Sequence, residues 1–171
     1  SGQLCAIAPT GGWGYSFYSG PAWDNLLFEV PYQLYLFRGE TEAIREHYDA
    51  MRRYWDYCRT AYDEDGIVDF GLGDWASVEQ DRITPRAVTS TGYYHSFAVR
   101  LAKFSEILGR DAEAHTYREQ SRRIRAGFSR CFLGKPGSCA DDSMTALATP
   151  VFFGMAEPEA VSALVEHLVQ K

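Results

Sequence analysis

The feature that most restricts this 171-residue chain is how its helical segments are joined, by short glycine links and long loops in strict alternation. Apolar residues recur at helical spacing in six stretches, which predicts six helices. The first runs from about Trp23 to Phe37, with Leu26, Leu27, Val30 and Leu34 as its stripe. Pro31 should kink it or mark its true start, and Gly39 ends it. The second starts at Thr41 as N-cap and reaches about Tyr62, burying Ile44, Tyr48, Met51, Trp55 and Cys58. The third follows Thr89-Ser90-Thr91 and runs to Leu108 on Tyr94, Phe97, Ala98, Leu101 and Phe104, with Gly109 at C′. Asp111 caps the fourth, which extends to about Phe132 on Tyr117, Ile124 and Phe128. The fifth runs from near Asp142-Ser143 to Gly154. The sixth carries Pro158 in its first turn, buries Leu164 and Leu168, and is still helical at Lys171.

Gly39-Glu40, Gly109-Arg110 and Gly154-Met155-Ala156 are tight links, so the helices pair as three antiparallel hairpins. The remaining connections are long: Ser1 to Ala22, Asp63 to Val88, and Gly134 to Asp141. In up-and-down helices alternate connections lie at opposite ends, so all the long loops share one face. The expected class is all-α. The hairpins form a loose repeat whose period is too irregular for a regular solenoid. A toroid of hairpins, with odd helices inside and even helices outside, fits better. Gly92 to Phe104 and Met144 to Phe153, with small and aromatic residues and few charges, suit inner positions.

Composition narrows the partners. A net charge of −6 argues against nucleic acid, which calls for a basic stripe. The Arg-rich stretch from Arg118 to Arg130 alternates with apolar residues at helical spacing and reads as a solvated helix face. No apolar run approaches the ~18 residues of a membrane span, and no signal peptide is visible. The location is therefore left open, with the cytoplasm favoured. Cys5, Cys58, Cys131 and Cys139 lack metal or redox spacing. Free thiols are the expectation, with Cys131 and Cys139 the one pair that could join across a turn. His47, His95, His115 and His167 are scattered, so no metal site and no cofactor are expected.

The chemistry gathers in two aromatic–acidic clusters, Pro21-Ala22-Trp23-Asp24-Asn25 and Gly71-Leu72-Gly73-Asp74-Trp75. An indole face covers the apolar side of a pyranose, and a carboxylate beside it accepts hydroxyl hydrogen bonds or moves protons. Both clusters fall on the long-loop face, where binding residues concentrate on a rigid scaffold. Asp74 and Trp75 read as a sugar-binding pair, or as an Asx-turn with an indole closing the core. Trp23 and Asp24 read as substrate-binding, or as a staple and N-cap. Trp13 and Tyr15, in a Gly-rich aromatic loop, form a pocket wall or simply pack. Glu79, Asp81, Asp141 and Asp142 read as solvated turns and caps. Inverting glycosidases hold two carboxylates roughly 6.5–9.5 Å apart, a separation that helix order alone does not fix for Asp24 and Asp74.

In this order the motifs resemble bacterial α-L-rhamnosidases of glycoside hydrolase family 78. The resemblance rests on Pro21-Ala-Trp-Asp-Asn25, Val30-Pro-Tyr-Gln-Leu-Tyr-Leu-Phe-Arg-Gly39 and Tyr48-Asp-Ala-Met-Arg-Arg-Tyr-Trp-Asp-Tyr57. It continues through Gly73-Asp74-Trp75, Thr91-Gly-Tyr-Tyr-His-Ser-Phe97, Leu101 to Gly109, Tyr117-Arg-Glu, Thr145-Ala-Leu-Ala148 and Phe153-Gly154. It covers nearly the whole chain. It implies an (α/α)6 toroid of twelve helices, inverting hydrolysis of terminal α-L-rhamnosides and no metal in the core mechanism. Trp23 would line the rhamnose subsite, and Asp74 and Trp75 the pocket rim or floor. Members read Trp-Gly-Asp where this chain reads Trp23-Asp24-Asn25, which shifts the carboxylate by one helix position. The family's general acid and base lie in upstream and downstream segments with no counterpart here. Residues 1–171 are therefore expected to be a fragment of the catalytic domain, inactive alone, with the rest of that domain and a rhamnose-containing glycoside as partners. Two other readings stay open: a six-hairpin glycosidase for another sugar, and a helical-repeat interaction module.

Overall fold

The computed structural model describes residues 2–9, 11–12, 19–74, 76 and 83–171. Three helical hairpins dominate, preceded by a single turn, α1 (Pro21–Asp24). They pair α2 (Leu26–Arg38) with α3 (Glu42–Ala61), α4 (Arg86–Ile107) with α5 (Asp111–Phe132), and α6 (Met144–Phe152) with α7 (Pro158–Val169). The all-α reading and the hairpin pairing hold.

α3 and α5 are amphipathic. Ile44, Tyr48, Met51, Tyr54, Trp55 and Cys58 are buried on α3, and Ala114, Tyr117, Ile124, Gly127 and Phe128 on α5. Their other faces carry the charges, including Arg118, Arg122, Arg123 and Arg130. α4 lies at the centre and buries thirteen of its residues, as an inner helix should. Phe28 of α2 stacks on Phe97 of α4 at 4.3 Å, and Trp55 of α3 on Tyr94 of α4 at 4.3 Å. Offset stacks of this kind add about 0.5–1.5 kcal/mol each beyond their burial.

Several expectations need correction. The first helical segment breaks at Asn25 into α1 and α2, and Pro31 lies inside α2 without ending it. The α2 stripe is also different. Phe28 and Pro31 are the buried positions, while Leu26 and Val30 are exposed. α2 is apolar around most of its surface, so its period selects no face; packing against Phe97 and Tyr54 does. α4 begins at Arg86, and Thr89, Ser90 and Thr91 are buried inside it. The hydroxyls of Ser90 and Thr91 reach the preceding loop, while Thr89 Oγ1 donates to the Arg86 carbonyl of its own helix. Thr91 Oγ1 accepts from Val68 N (3.0 Å), and Ser90 Oγ donates to the Phe70 carbonyl (2.8 Å). Arg110, not Asp111, is the N-cap of α5, and α7 ends at Val169. Ser143 does cap α6, accepting from Ala146 N.

The long loop after α3 contains a hairpin that helical periodicity does not reveal. Asp63–Glu64 (β1) pairs antiparallel with Ile67–Val68 (β2) across Asp65-Gly66. Asp65 and Gly66 both have positive φ (53° and 91°), as a type I′ turn requires, and Asp-Gly is the sequence that favours it. The Asp63 carboxylate fixes this hairpin to the helices. It accepts from Gly66 N (2.8 Å) and Tyr94 Oη (2.9 Å) and pairs with Arg123. No helix among the described residues is long and apolar enough to cross a membrane. All four cysteines are free, with Cys131 exposed and Cys139 buried.

Candidate functional site

The long loops meet at one end of the hairpins. Ser19-Gly20, ahead of the first cluster, lies directly on Gly71-Leu72 of the second. Leu72 N donates to the Ser19 carbonyl (3.2 Å). A Cβ on Gly20 would stand 2.5 Å from Gly71 Cα, and one on Gly71 would stand 2.7 Å from Gly20 Cα. Both residues have positive φ, 75° and 95°. Gly20 and Gly71 therefore make a tight backbone crossing, and only glycine fits on either side. The loop that carries Asp74 also meets the one before α6. Thr84 Oγ1 donates to Asp74 Oδ2 (3.0 Å) and lies 2.7 Å from Ser143 Oγ, which reaches Asp141 Oδ1 (2.8 Å). Thr84 and Ser143 are fully buried.

Pro21 at the first helical position sets up α1, which presents Trp23 and Asp24. Trp23 is 41% exposed, so part of its indole is open to a ligand. The Asp24 carboxylate is committed on both oxygens. Ser19 Oγ donates to Oδ1 (2.9 Å) and Tyr54 Oη to Oδ2 (2.6 Å). Burial raises its pKa above the usual carboxylate value, and the two hydroxyls partly offset that. Hydrogen bonds to a charged group contribute about 1.5–3 kcal/mol, so this pair ties α1 firmly to α3. Trp13, Tyr15 and Trp75 lie outside the described residues, as do Glu79 and Asp81.

Sequence reasoning brought Trp23, Asp24 and Asp74 to one face but missed the groups that hold them: Ser19, Tyr54, Thr84 and Ser143. Tyr54 carried a signal. It precedes Trp55 on the buried side of an amphipathic helix, and a buried phenol needs a polar partner. Asp141 and Asp142, read as turn residues, do close the turn into α6. Asp142 Oδ1 accepts from Cys139 N (2.8 Å) and Ser138 Oγ (2.7 Å). Among the described residues no group of three or more His, Cys, Asp or Glu could hold a metal ion.

The family model described as the bacterial alpha-L-rhamnosidase 6 hairpin glycosidase domain matches residues 1–171. The chain belongs to this family. An alpha-L-rhamnosidase of Formosa agariphila is 24% identical over 163 residues, which are 90% of this chain and 17% of the relative. A second from the same organism is 25% identical over 129 residues, 72% of this chain and 14% of the relative. Two solved structures share the fold at a TM-score of 0.87 and cover 99% of the chain. One is the Streptomyces avermitilis alpha-L-rhamnosidase complexed with L-rhamnose (23% identity, 16% of that chain). The other is the alpha-L-rhamnosidase from Dictyoglumus thermophilum (24% identity, 20% of that chain). The rhamnosidase-family chain thus spans about a fifth or less of these relatives, and its three hairpins compare with the six in the family's description.

Proposed function

We propose that residues 1–171 are part of an inverting glycoside hydrolase that cleaves terminal α-L-rhamnosides, and that this segment supplies substrate-binding loops. The observation that carries the reading is the match of the rhamnosidase six-hairpin family to the whole chain. The Streptomyces relative's complex with L-rhamnose supports the choice of sugar.

Trp23 and Asp74, with Trp75, Trp13 and Tyr15, bind the sugar. Asp24 acts with Trp23, holding the turn that presents the indole through its bonds to Tyr54 and Ser19. The chemistry needs a general acid and a general base on opposite faces of the glycosidic bond. We assign both to parts of the catalytic domain beyond residues 1–171. The same reading accounts for the apolar side chains that α2 and α6 leave open, Leu26 at 69%, Val30 at 50% and Phe152 at 79% exposure. Further helices of the same domain would cover them, since a patch of this kind rarely stays bare.

The test is hydrolysis of a chromogenic α-L-rhamnoside by the full-length protein, beside the matching glucoside and mannoside. Selective rhamnoside turnover that drops in Trp23→Ala and Asp74→Asn is the expected result. Turnover of another sugar keeps the glycosidase and discards the specificity. No turnover of any removes the enzyme reading. Turnover by the isolated 171 residues, abolished by Asp74→Asn, would return the acid and base to Asp24 and Asp74.

A further inference from the structure

Trp23 and Asp24 are presented by α1, whereas Asp74 belongs to no helix or strand. A carboxylate on a loop can turn about its side-chain bonds, and a ligand that bonds it must first order it. The groups that order Asp74 come from two other segments. Thr84 Oγ1 donates to Asp74 Oδ2 (3.0 Å) and lies 2.7 Å from Ser143 Oγ. Thr84 precedes Pro85, the N-cap of α4, and a residue before proline is confined to extended backbone. Ser143 is the N-cap of α6. The Asp74 carboxylate is therefore registered to the starts of two packed helices and not to its own loop alone.

A proton count gives the bonds their direction. Thr84 and Ser143 carry one hydroxyl proton each, and a carboxylate only accepts. Thr84 gives its proton to Asp74, so in its contact with Ser143 it is the acceptor. Ser143 Oγ in turn accepts from Ala146 N (3.3 Å) in the first turn of α6. The chain runs from Ala146 N–H through the Ser143 and Thr84 hydroxyls to Asp74 Oδ2, each bond polarising the next toward the carboxylate. Asp141 Oδ1 competes for the Ser143 proton at 2.8 Å but also holds the Ser143 backbone N–H (3.2 Å), so it keeps a donor when that proton turns to Thr84. Thr84 and Ser143 are 1% and 0% exposed, which keeps water from replacing either hydroxyl. Among the described residues Thr84 is the one side chain bonded to the Asp74 carboxylate, and this leaves Oδ1 for a ligand. We propose that Thr84, with Ser143 behind it, is a positioning residue for substrate binding: it holds Asp74 Oδ2 and so turns Oδ1 toward a hydroxyl of the bound sugar.

The proposal rests on the reading of Asp74 as a sugar ligand. Its test is steady-state kinetics of the full-length protein on the glycoside it turns over, the chromogenic α-L-rhamnoside first. Thr84→Val keeps the shape of the side chain and removes its proton; it should raise KM about fivefold or more with a smaller change in kcat. Thr84→Ser restores the hydroxyl and should return KM to within about twofold of the parent. Ser143→Ala should raise KM less than Thr84→Val, because Thr84 still donates. In an Asp74→Ala background Thr84→Val should add nothing to the loss in kcat/KM, since no carboxylate is left to aim. Circular dichroism shows which variants fold. If Thr84→Val does not, Ser143→Ala decides by the same comparison, and if Asp74→Ala is too slow to measure, Thr84→Val against Thr84→Ser decides. A folded Thr84→Val with parental KM, or an effect that persists without Asp74, makes the hydroxyl chain a staple between loops and overturns the positioning role alone. Parental KM in Asp74→Ala removes Asp74 from the sugar site and overturns both readings, as does the absence of turnover with every glycoside.

Discussion

The Gly20–Gly71 crossing gives the sharpest test of how the two loop clusters are brought together. In Gly71→Ala the new methyl would stand 2.7 Å from Gly20 Cα and 2.8 Å from the Ser19 carbonyl oxygen, both backbone atoms that cannot rotate away. The residue would also hold φ near +95°, which an L side chain adopts at a cost of roughly 1–2 kcal/mol. Overpacking against fixed neighbours adds about 1–3 kcal/mol. The expected loss is therefore about 2–5 kcal/mol. Gly109→Ala is the control. It has a comparable φ of +69° but nothing within 4 Å of the added carbon, so it should lose only the conformational part. Equilibrium urea denaturation followed by far-UV circular dichroism measures both, with an unchanged slope required for the comparison. Gly20→Ala should behave like Gly71→Ala, because the contact is mutual. If Gly71→Ala costs no more than Gly109→Ala, the backbone crossing is looser than described and cannot be what registers the two clusters.

Three further outcomes follow from the same geometry. Tyr54→Phe removes one bond from a buried carboxylate and should cost about 1.5–3 kcal/mol at neutral pH. Because the folded Asp24 pKa lies above its unfolded value, the carboxylate is a net burden at neutral pH that eases as pH falls through the folded pKa. The gap between Tyr54→Phe and the parent should then narrow in acid, and a pH-independent gap would refute the pairing. His95 is pushed down to about 4 by burial and the Arg125 charge, from an ordinary 6.5. It stays neutral when folded and takes up a proton on unfolding, so stability should fall between pH 6.5 and 4, by about 3 kcal/mol in all. His95→Gln should flatten that slope, and an unchanged slope would exclude His95 as its source. Ser143→Ala removes the α6 cap and the Thr84 contact together, and urea denaturation should show a loss of about 1 kcal/mol or more. A loss near zero would mean that water replaces the hydroxyl and that Asp74 is held by other groups.

Much of the fold was legible because amphipathic helices write their faces into the sequence. Ile44, Tyr48, Met51, Trp55 and Cys58 were assigned to the core from spacing alone, and all five are buried. The glycine links at Gly39 and Gly109 likewise declared themselves, both with left-handed φ. Where a helix is apolar all round, the period carries no information. α2 shows this: only contact with Phe97 and Tyr54 decided that Phe28 turns inward and Leu26 outward. The Asp65-Gly66 hairpin was readable from local turn chemistry, but a helical period cannot register two-residue strands.

The sequence by itself determined that Trp23, Asp24 and Asp74 lie at one end of three hairpins, because link length fixes which helix ends are neighbours. Only the tertiary structure decided what those residues touch. The Asp24 carboxylate is held by Ser19 and by Tyr54, thirty positions away, and Asp74 meets Ser143 through Thr84 across separate loops. Asn25, His95 and Arg100 come together along one cavity for the same reason. Periodicity reports burial along one element, whereas hydrogen-bond partners are set by distances between elements, which exist only once the hairpins have packed.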